Sequence, residues 1–328
     1  MKATAIANAN IALIKYWGKR DKDLILPYNS SISMTCDGLW SKTTVEFGNY
    51  DEDTIIINDE ELKKDEKDVL GHLHRIKKMA GITKNTKVVS ESNFPVAAGL
   101  ASSASGLAAL TLAATSAAGL KLNEKELSML SRQGSGSASR SIHGGFVEWL
   151  KGEEDDGSDS YAKQLADKKY WPDFRMIACI VSEAKKATSS RAGMAQTVST
   201  SPYYDGWLKS IDKDLQHMRK GIHNKDFTLV GSTAEHNALK MHATMMTTKP
   251  AIIYWALATI EIMHAVMYWR EQGLESYFTM DAGPQVKILC LEKDVSKITK
   301  NLSELGGVKK TIICKPGDGA QLTKEHLF

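Results

Sequence analysis

The segment Met280-Asp281-Ala282-Gly283-Pro284 places a carboxylate at the end of an apolar run that begins at Tyr277, just before small turn residues. Held there near cations, Asp281 suits the work of a base or an orienting group, although such an aspartate also commonly caps a turn. Residues 10–21 carry an apolar strand into a turn dense in cations, where Lys15, Lys19 and Arg20 surround Tyr16 and Trp17. That density suits a phosphate, or a charged loop around a core tryptophan. In Gln133-Gly134-Ser135-Gly136-Ser137-Ala138-Ser139-Arg140 an arginine stands at a helix start. Its planar fork can hold a carboxylate or phosphate through two parallel hydrogen bonds, while the bland alternative is a turn ending in a surface arginine. Residues 95–105 form a Gly/Ala/Ser loop between a strand and a helix. Small residues such as Gly99 let a phosphate approach the backbone, the positive helix end attracts it, and the Ser102 and Ser103 hydroxyls can bind phosphate oxygens or Mg²⁺. The Gly-Lys-Ser/Thr ending of a Walker loop is missing, and a packed Ala-rich helix with a serine cap reads equally well.

Positioning these groups requires a sequence of mixed elements. Residues 3–47 are β-rich, with a short apolar strand, a loop at 18–23 and alternating stretches at 31–35 and 42–47, which together imply an antiparallel opening sheet. A charged amphipathic helix follows at 60–80, a strand at 87–92 and an Ala-rich helix at 102–118 closed by Gly119. Asn123 and Glu126 form a capping box for a helix ending near Arg132. Strands at 146–150 and 176–181 flank an acidic, solvated loop at 152–160, and a boundary near 181–188 divides the chain into 1–184 and 185–328. Helices at 205–221, 226–242 and 251–272, the last with Pro250 in its first turn, precede strands at 276–280, 286–291 and 310–314. The pattern is that of a two-domain α+β protein.

Bulk properties narrow the function. The 328 residues are long for one core, and 42% apolar with 25% charged residues is ordinary globular composition. Forty-two basic against 39 acidic residues, a net charge of +3, is too balanced for a nucleic-acid binder. Cys36, Cys179, Cys290 and Cys314 are widely spaced, which suggests buried free thiols rather than disulfides or a metal site. Residues 1–6 lack a secretory pattern, so a cytoplasmic protein is expected. The most membrane-like stretch, 251–269, is interrupted by Glu261 and His264 and reads as a buried helix at a subunit contact.

Taken together, residues 10–21, 93–105, 134–145 and 278–284, in that order, resemble the mevalonate diphosphate decarboxylase family within the superfamily of galactose, homoserine, mevalonate and phosphomevalonate kinases. Residues 29–33 (Asn-Ser-Ser-Ile-Ser) and 190–194 (Ser-Arg-Ala-Gly-Met) add to the resemblance, which covers nearly the whole chain. It implies a ribosomal-protein-S5-like N-terminal domain and a ferredoxin-like C-terminal domain, with substrate and nucleotide between them. It also implies ATP-dependent phosphorylation of a tertiary 3-hydroxyl, then loss of phosphate and CO₂ to give an isopentenyl product, by a homodimer using ATP and Mg²⁺. By motif position, Asp281 would face the 3-hydroxyl, Lys15 would stabilise the transferring phosphate and Arg140 would hold the substrate carboxylate. Tyr16, Lys19, Ser135 and Arg191 would line the 5-phosphate end, and Gly99, Ser102 and Ser103 the ATP phosphates. Gln285 and His143 depart from the family pattern, and the tail 315–319 resembles archaeal or eukaryotic members. The substrate implied is mevalonate 5-diphosphate or 5-phosphate; the alternatives are an ATP-independent decarboxylase of mevalonate 3,5-bisphosphate, a small-molecule kinase of the superfamily, and a non-catalytic ligand-binding module.

Overall fold

The computed structural model describes residues 1–62, 67–94, 102–182, 184 and 187–328. In chain order its strands are β1 (Lys2–Ile14), β2 (Lys19–Asp21), β3 (Leu26–Pro27), β4 (Ser31–Gly48), β5 (Thr54–Ile57), β6 (Glu60–Glu61), β7 (Asn85–Ser92), β8 (Phe146–Trp149), β9 (Ala162–Ala166), β10 (Phe174–Ile180), β11 (Tyr277–Met280), β12 (Val286–Leu291), β13 (Lys310–Cys314) and β14 (Gln321–Thr323). Its helices are α1 (Lys67–Ala80), α2 (Ser102–Ala117), α3 (Glu124–Arg132), α4 (Ala138–Ser141), α5 (Ser190–Thr200), α6 (Tyr204–Asn224), α7 (Phe227–Met246), α8 (Leu257–Glu271) and α9 (Val295–Ser303).

The long strands β1 and β4 pair antiparallel and anchor an eight-stranded sheet in the order β14-β1-β4-β7-β5-β6, with β8 and β9 branching from β4. The runs read separately at 31–35 and 42–47 are one strand of 18 residues. Asp37-Gly38, a pair common in turns, lies mid-strand because a register shift between Asn8 and Asn10 of β1 absorbs the irregularity. Helix α2 packs beneath this sheet, where Ala104, Ala108, Ala109 and Ala113 are completely buried and small enough for close helix–sheet approach. The capping box of α3 forms as its sequence implies: Glu126 N–H donates to Asn123 Oδ1 at 3.0 Å and Asn123 N–H to Glu126 Oε2 at 2.8 Å.

The second sheet has the order β11-β12-β10-β13. Helices α5 to α8 lie between β10 and β11, and α9 between β12 and β13, giving the β-α-β-β-α-β connectivity of a ferredoxin-like unit. By hydrogen bonding β10 goes with this sheet, although the expected division at 184/185 falls after it. Strand β14 returns to pair with β1 in the first sheet. One buried cluster joins the two, with Ile11, Leu13, Trp17 and Met34 packed among Phe174, Met176, Leu289, Trp207 and Met218.

Three helix expectations change. The helix placed at 60–80 begins at Lys67, Glu60 and Glu61 being strand, and residues 63–66 lie outside the described set. The helix placed at 251–272 begins only at Leu257, and Pro250 stands outside it after a cis peptide bond. Ile252 and Tyr254 are buried while Ala251 and Ile253 are exposed, an alternation that suits extended chain rather than helix. Helix α5 was not anticipated, because Ser-Arg-Ala-Gly-Met-Ala-Gln-Thr-Val-Ser-Thr has no apolar stripe. The four cysteines are buried and free. No helix among the described residues is long and apolar enough to cross a membrane.

Candidate active site

A cavity of about 740 Å³ has Lys15, Tyr16, Lys19, Ser135, Arg140, Arg191 and Asp281 in its wall, and Ser102 and Ser103 at another part of the same wall. Gly99 lies outside the described residues. The cavity therefore gathers residues from both ends of the chain.

Lys15 follows the last residue of β1, and its backbone is fixed on both sides. Its N–H donates to Asn237 Oδ1 of α7 at 2.8 Å, and its carbonyl accepts from Asn29 Nδ2 at 2.8 Å. Its ammonium donates to the Ala12 carbonyl and to Asp281 Oδ1, both at 2.8 Å. Asp281 follows the last residue of β11, and Gly283 N–H closes the turn onto its carbonyl at 2.8 Å. The second carboxylate oxygen faces Lys287 of β12, whose ammonium is 3.2 Å away and completely buried. Burial alone would push the Asp281 carboxyl up, but Lys15 and Lys287 outweigh it and hold the group well below the ordinary carboxylate range. Burial draws the Lys15 ammonium down to about 8, against the pull of Asp281.

Arg140, in α4, is 2% exposed. Its Nε donates to Asn10 Oδ1 at 3.0 Å and Ser33 Oγ at 2.9 Å, and its Nη1 donates to Ser31 Oγ. These partners are neutral, and no carboxylate among the described residues lies within ion-pair distance of it. Burial lowers the guanidinium to about 10. A buried cation held by neutral groups and facing a cavity is suited to bind an anion.

The wall between these groups is aromatic. The Tyr16 and Trp149 rings meet edge to face with centroids 4.7 Å apart, and the Arg140 guanidinium lies 6.0 Å from the Trp149 ring. The Tyr16 hydroxyl is buried without a hydrogen-bond partner among the described residues. Gly136 explains the glycine of its loop: a Cβ there would sit 2.6 Å from Trp149 and 2.9 Å from Tyr16. Arg191 lies in the first turn of α5, where Ser189 Oγ accepts from Ala192 N–H at 3.2 Å as the helix cap. Trp17, next to Tyr16, donates through Nε1 to Thr197 Oγ1 of α5 at 2.9 Å, so the two pieces of wall are fastened together.

A second arm of the cavity is apolar. Ile55 and Ile57 of β5, Val88 of β7, Val69 of α1 and Leu107 and Leu110 of α2 line it, and Ser102 stands at the N-terminus of the 16-residue α2. A flat heterocycle fits such a slot, with a phosphate chain running toward the helix end. Among the described residues no group of three His, Cys, Asp or Glu side chains could hold a metal ion.

Lys287 was not among the candidates read from the sequence. Alternation along Val-Lys-Ile-Leu-Cys-Leu makes it a solvent-facing strand residue, whereas β12 is buried on both faces through Cys290.

Residues 7–162 match the family described as diphosphomevalonate decarboxylase-like N-terminal domain, and residues 176–322 the mevalonate 5-diphosphate decarboxylase C-terminal domain. A diphosphomevalonate decarboxylase of Ganoderma lucidum is 38% identical over 325 residues, covering 91% of this chain and 80% of the relative. A solved complex with MVAPP, AMPPCP and magnesium is 41% identical with a TM-score of 0.93, covering 99% of both chains. A structure of the mevalonate diphosphate decarboxylase from Enterococcus faecalis is 40% identical with a TM-score of 0.92, again covering 99% of both.

Proposed function

The chain belongs to the diphosphomevalonate decarboxylase family, and from that premise we propose that it converts mevalonate 5-diphosphate, with ATP, to isopentenyl diphosphate, phosphate, ADP and CO₂. The observation that carries the reading is Arg140: a buried guanidinium satisfied by neutral groups and facing the Lys15–Asp281 pair across one cavity.

Arg140 positions the substrate carboxylate. Decarboxylation disperses that charge, so the guanidinium acts by orienting the C1–C2 bond rather than by gripping the anion harder in the transition state. The electron pair of that bond becomes the C2–C3 double bond as the C3–O bond to phosphate breaks. Asp281 faces the 3-hydroxyl. A carboxylate held so far below its ordinary range is a weak base, so it orients the hydroxyl and accepts its proton only as the new O–P bond forms. Lys15 supplies positive charge beside the transferring phosphoryl group. Tyr16, Lys19, Ser135 and Arg191 meet the 5-diphosphate, the unpartnered Tyr16 hydroxyl among them.

When bound, MgATP supplies the phosphoryl group. The apolar arm fits its base, and Ser102 and Ser103 fit its phosphates and, with the phosphate oxygens, the Mg²⁺. The solved complex with AMPPCP and magnesium supports that assignment.

The test offers mevalonate 5-diphosphate, mevalonate 5-phosphate and mevalonate 3,5-bisphosphate separately, with and without MgATP, and follows CO₂ and ADP. Both products from the 5-diphosphate, only with MgATP, are expected. CO₂ without ADP identifies the ATP-independent branch, ADP without CO₂ a kinase, and no turnover a binding module.

The same reading makes the protein a cytoplasmic homodimer. Its four unpaired thiols suit a reducing compartment. Leu257, Ile260 and Met267 are exposed on one face of α8, 89% exposed in the case of Leu257, and Ile253 is exposed just before it. Leu257→Glu is expected to shift the protein from dimer to monomer in sedimentation equilibrium. A wild-type monomer refutes the dimer.

A further inference from the structure

Lys287 has no task in the mechanism above, and its depth is unexplained by packing. It is completely buried, and a methionine of similar length would fill the space without desolvating an ammonium. Its position is set by β12, where it pairs in register with Thr279 of β11, two residues before Asp281. Its ammonium also donates to the Gln285 carbonyl at 3.3 Å. Asp281 thus faces two ammoniums: Lys15, from the end of β1, donates to Oδ1 at 2.8 Å, and Lys287, from the strand beside Asp281's own, lies 3.2 Å from Oδ2 as an ion pair without hydrogen-bond geometry.

The two lysines differ in freedom. Lys287 is enclosed in the second sheet, whereas Lys15 lines the cavity and reaches Asp281 from the opposite domain. With Lys15 as its only partner, Asp281, half-buried at the cavity wall, would be left without a counter-ion whenever that ammonium turned to another anion, and it would rotate or take up a proton. With both, a neutral Asp281–Lys287 pair remains when Lys15 turns away.

We infer that Lys287 is a positioning residue for the reaction: it holds Asp281 by Oδ2, so that Lys15 can follow the negative charge of the transferring phosphoryl group while the carboxylate stays aimed at the substrate hydroxyl. The inference rests on the functional reading above. No other group facing Asp281 replaces Lys287. Arg140 of α4 is committed to Asn10, Ser31 and Ser33. His242 of α7, which faces the Asp281 backbone, is kept neutral because burial draws it down to about 3. Tyr16, across this part of the cavity, is pushed above its ordinary value by burial and carries no charge, and Lys19 and Arg191, the further cations of the wall, are assigned to the 5-diphosphate.

Two arms test this. In the first, Lys287→Met and Lys287→Arg in the full chain are assayed with mevalonate 5-diphosphate and MgATP. Lys287→Met is expected to lose about a hundredfold in kcat with KM for both substrates within about threefold, and Lys287→Arg to recover part of the loss. The acid limb of the Lys287→Met kcat profile moves to higher pH. An unchanged kcat and pH profile, or a loss confined to KM, overturns the inference. The second arm leaves Lys287 in place, follows ¹³C-carboxyl-labelled aspartate by NMR in ligand-free Lys15→Met, and assigns the signal with Asp281→Asn. Asp281 is expected to stay ionised to about pH 4, because Lys287 still holds it. Protonation near neutrality overturns the inference. That result is independent of turnover, whereas failure of the functional reading shows as wild-type protein that releases no CO₂.

Discussion

On the proposed mechanism Asp281 acts only as one member of a charged set, and its amide tests that. Asp281→Asn keeps the shape but neither accepts a proton nor balances Lys15 and Lys287, so turnover is expected to fall by about a thousandfold or more. The fold survives, because Lys15, already drawn down to about 8, can shed its proton and relieve the unpaired charge. CO₂ release measured beside a circular dichroism spectrum checks both statements. Lys15 also sets an alkaline limit. Its ammonium is present below about 8 and lost above it, so kcat/KM is expected to decline through that pH, with the apparent value belonging to the Lys15–Asp281 pair. In Lys15→Arg the limb moves to higher pH, since a guanidinium stays charged there. Lys15, Arg140 and Asp281 were legible in the sequence only together, through the order of the motifs that carry the family resemblance, because taken singly each reads as an ordinary loop or turn charge. Lys287 was hidden: a lysine inside a strand reads as the solvent face, and only the covering of both faces of β12 reverses that.

At the scale of elements, the site depends on loops pressed against aromatic rings. Gly136 leaves room for Trp149 and Tyr16, whose edge-to-face contact forms the wall beside Arg140. Gly136→Ala is therefore expected to cost about 1–3 kcal/mol, read as a lower urea midpoint, and to raise KM for the phosphorylated substrate by displacing Tyr16. An unchanged KM would detach Tyr16 from substrate binding. Elements with a strong local signal, such as the α3 capping box and β11, β12 and β13, were legible almost to the residue. Those set by tertiary contact were not. Helix α5 has no apolar stripe and is defined by its Ser189 cap and by Thr197, which meets Trp17. The start of α8 is delayed by the buried Ile252 and Tyr254, the latter donating to the Thr188 carbonyl at 3.0 Å.

For the whole molecule, the decisive feature is the cluster that the two sheets share. Each half has a buried cluster of its own, and Trp17 and Met34 on one side pack with Phe174, Met176 and Met218 on the other in a third cluster that ties the two together. Chemical unfolding is expected to be a single transition with coincident tryptophan-fluorescence and far-UV circular dichroism curves, and two separated transitions would show that the halves melt independently. The two-domain α+β class was legible from the order of helices and strands, whereas the place of β10 in the second sheet was not, since pairing partners leave no local mark.

The return of β14 to β1 has a further consequence for chain connectivity. Lys2 Nζ donates to the Phe328 carbonyl at 3.0 Å and lies 4.5 Å from the centre of its ring, so the segment after β14 stays beside the start of β1. The second sheet, β10 to β13, is thereby an excursion of the chain that leaves the first sheet after β9 and rejoins it at β14. The two sheets are therefore tied twice through the backbone, as well as through the cluster they share.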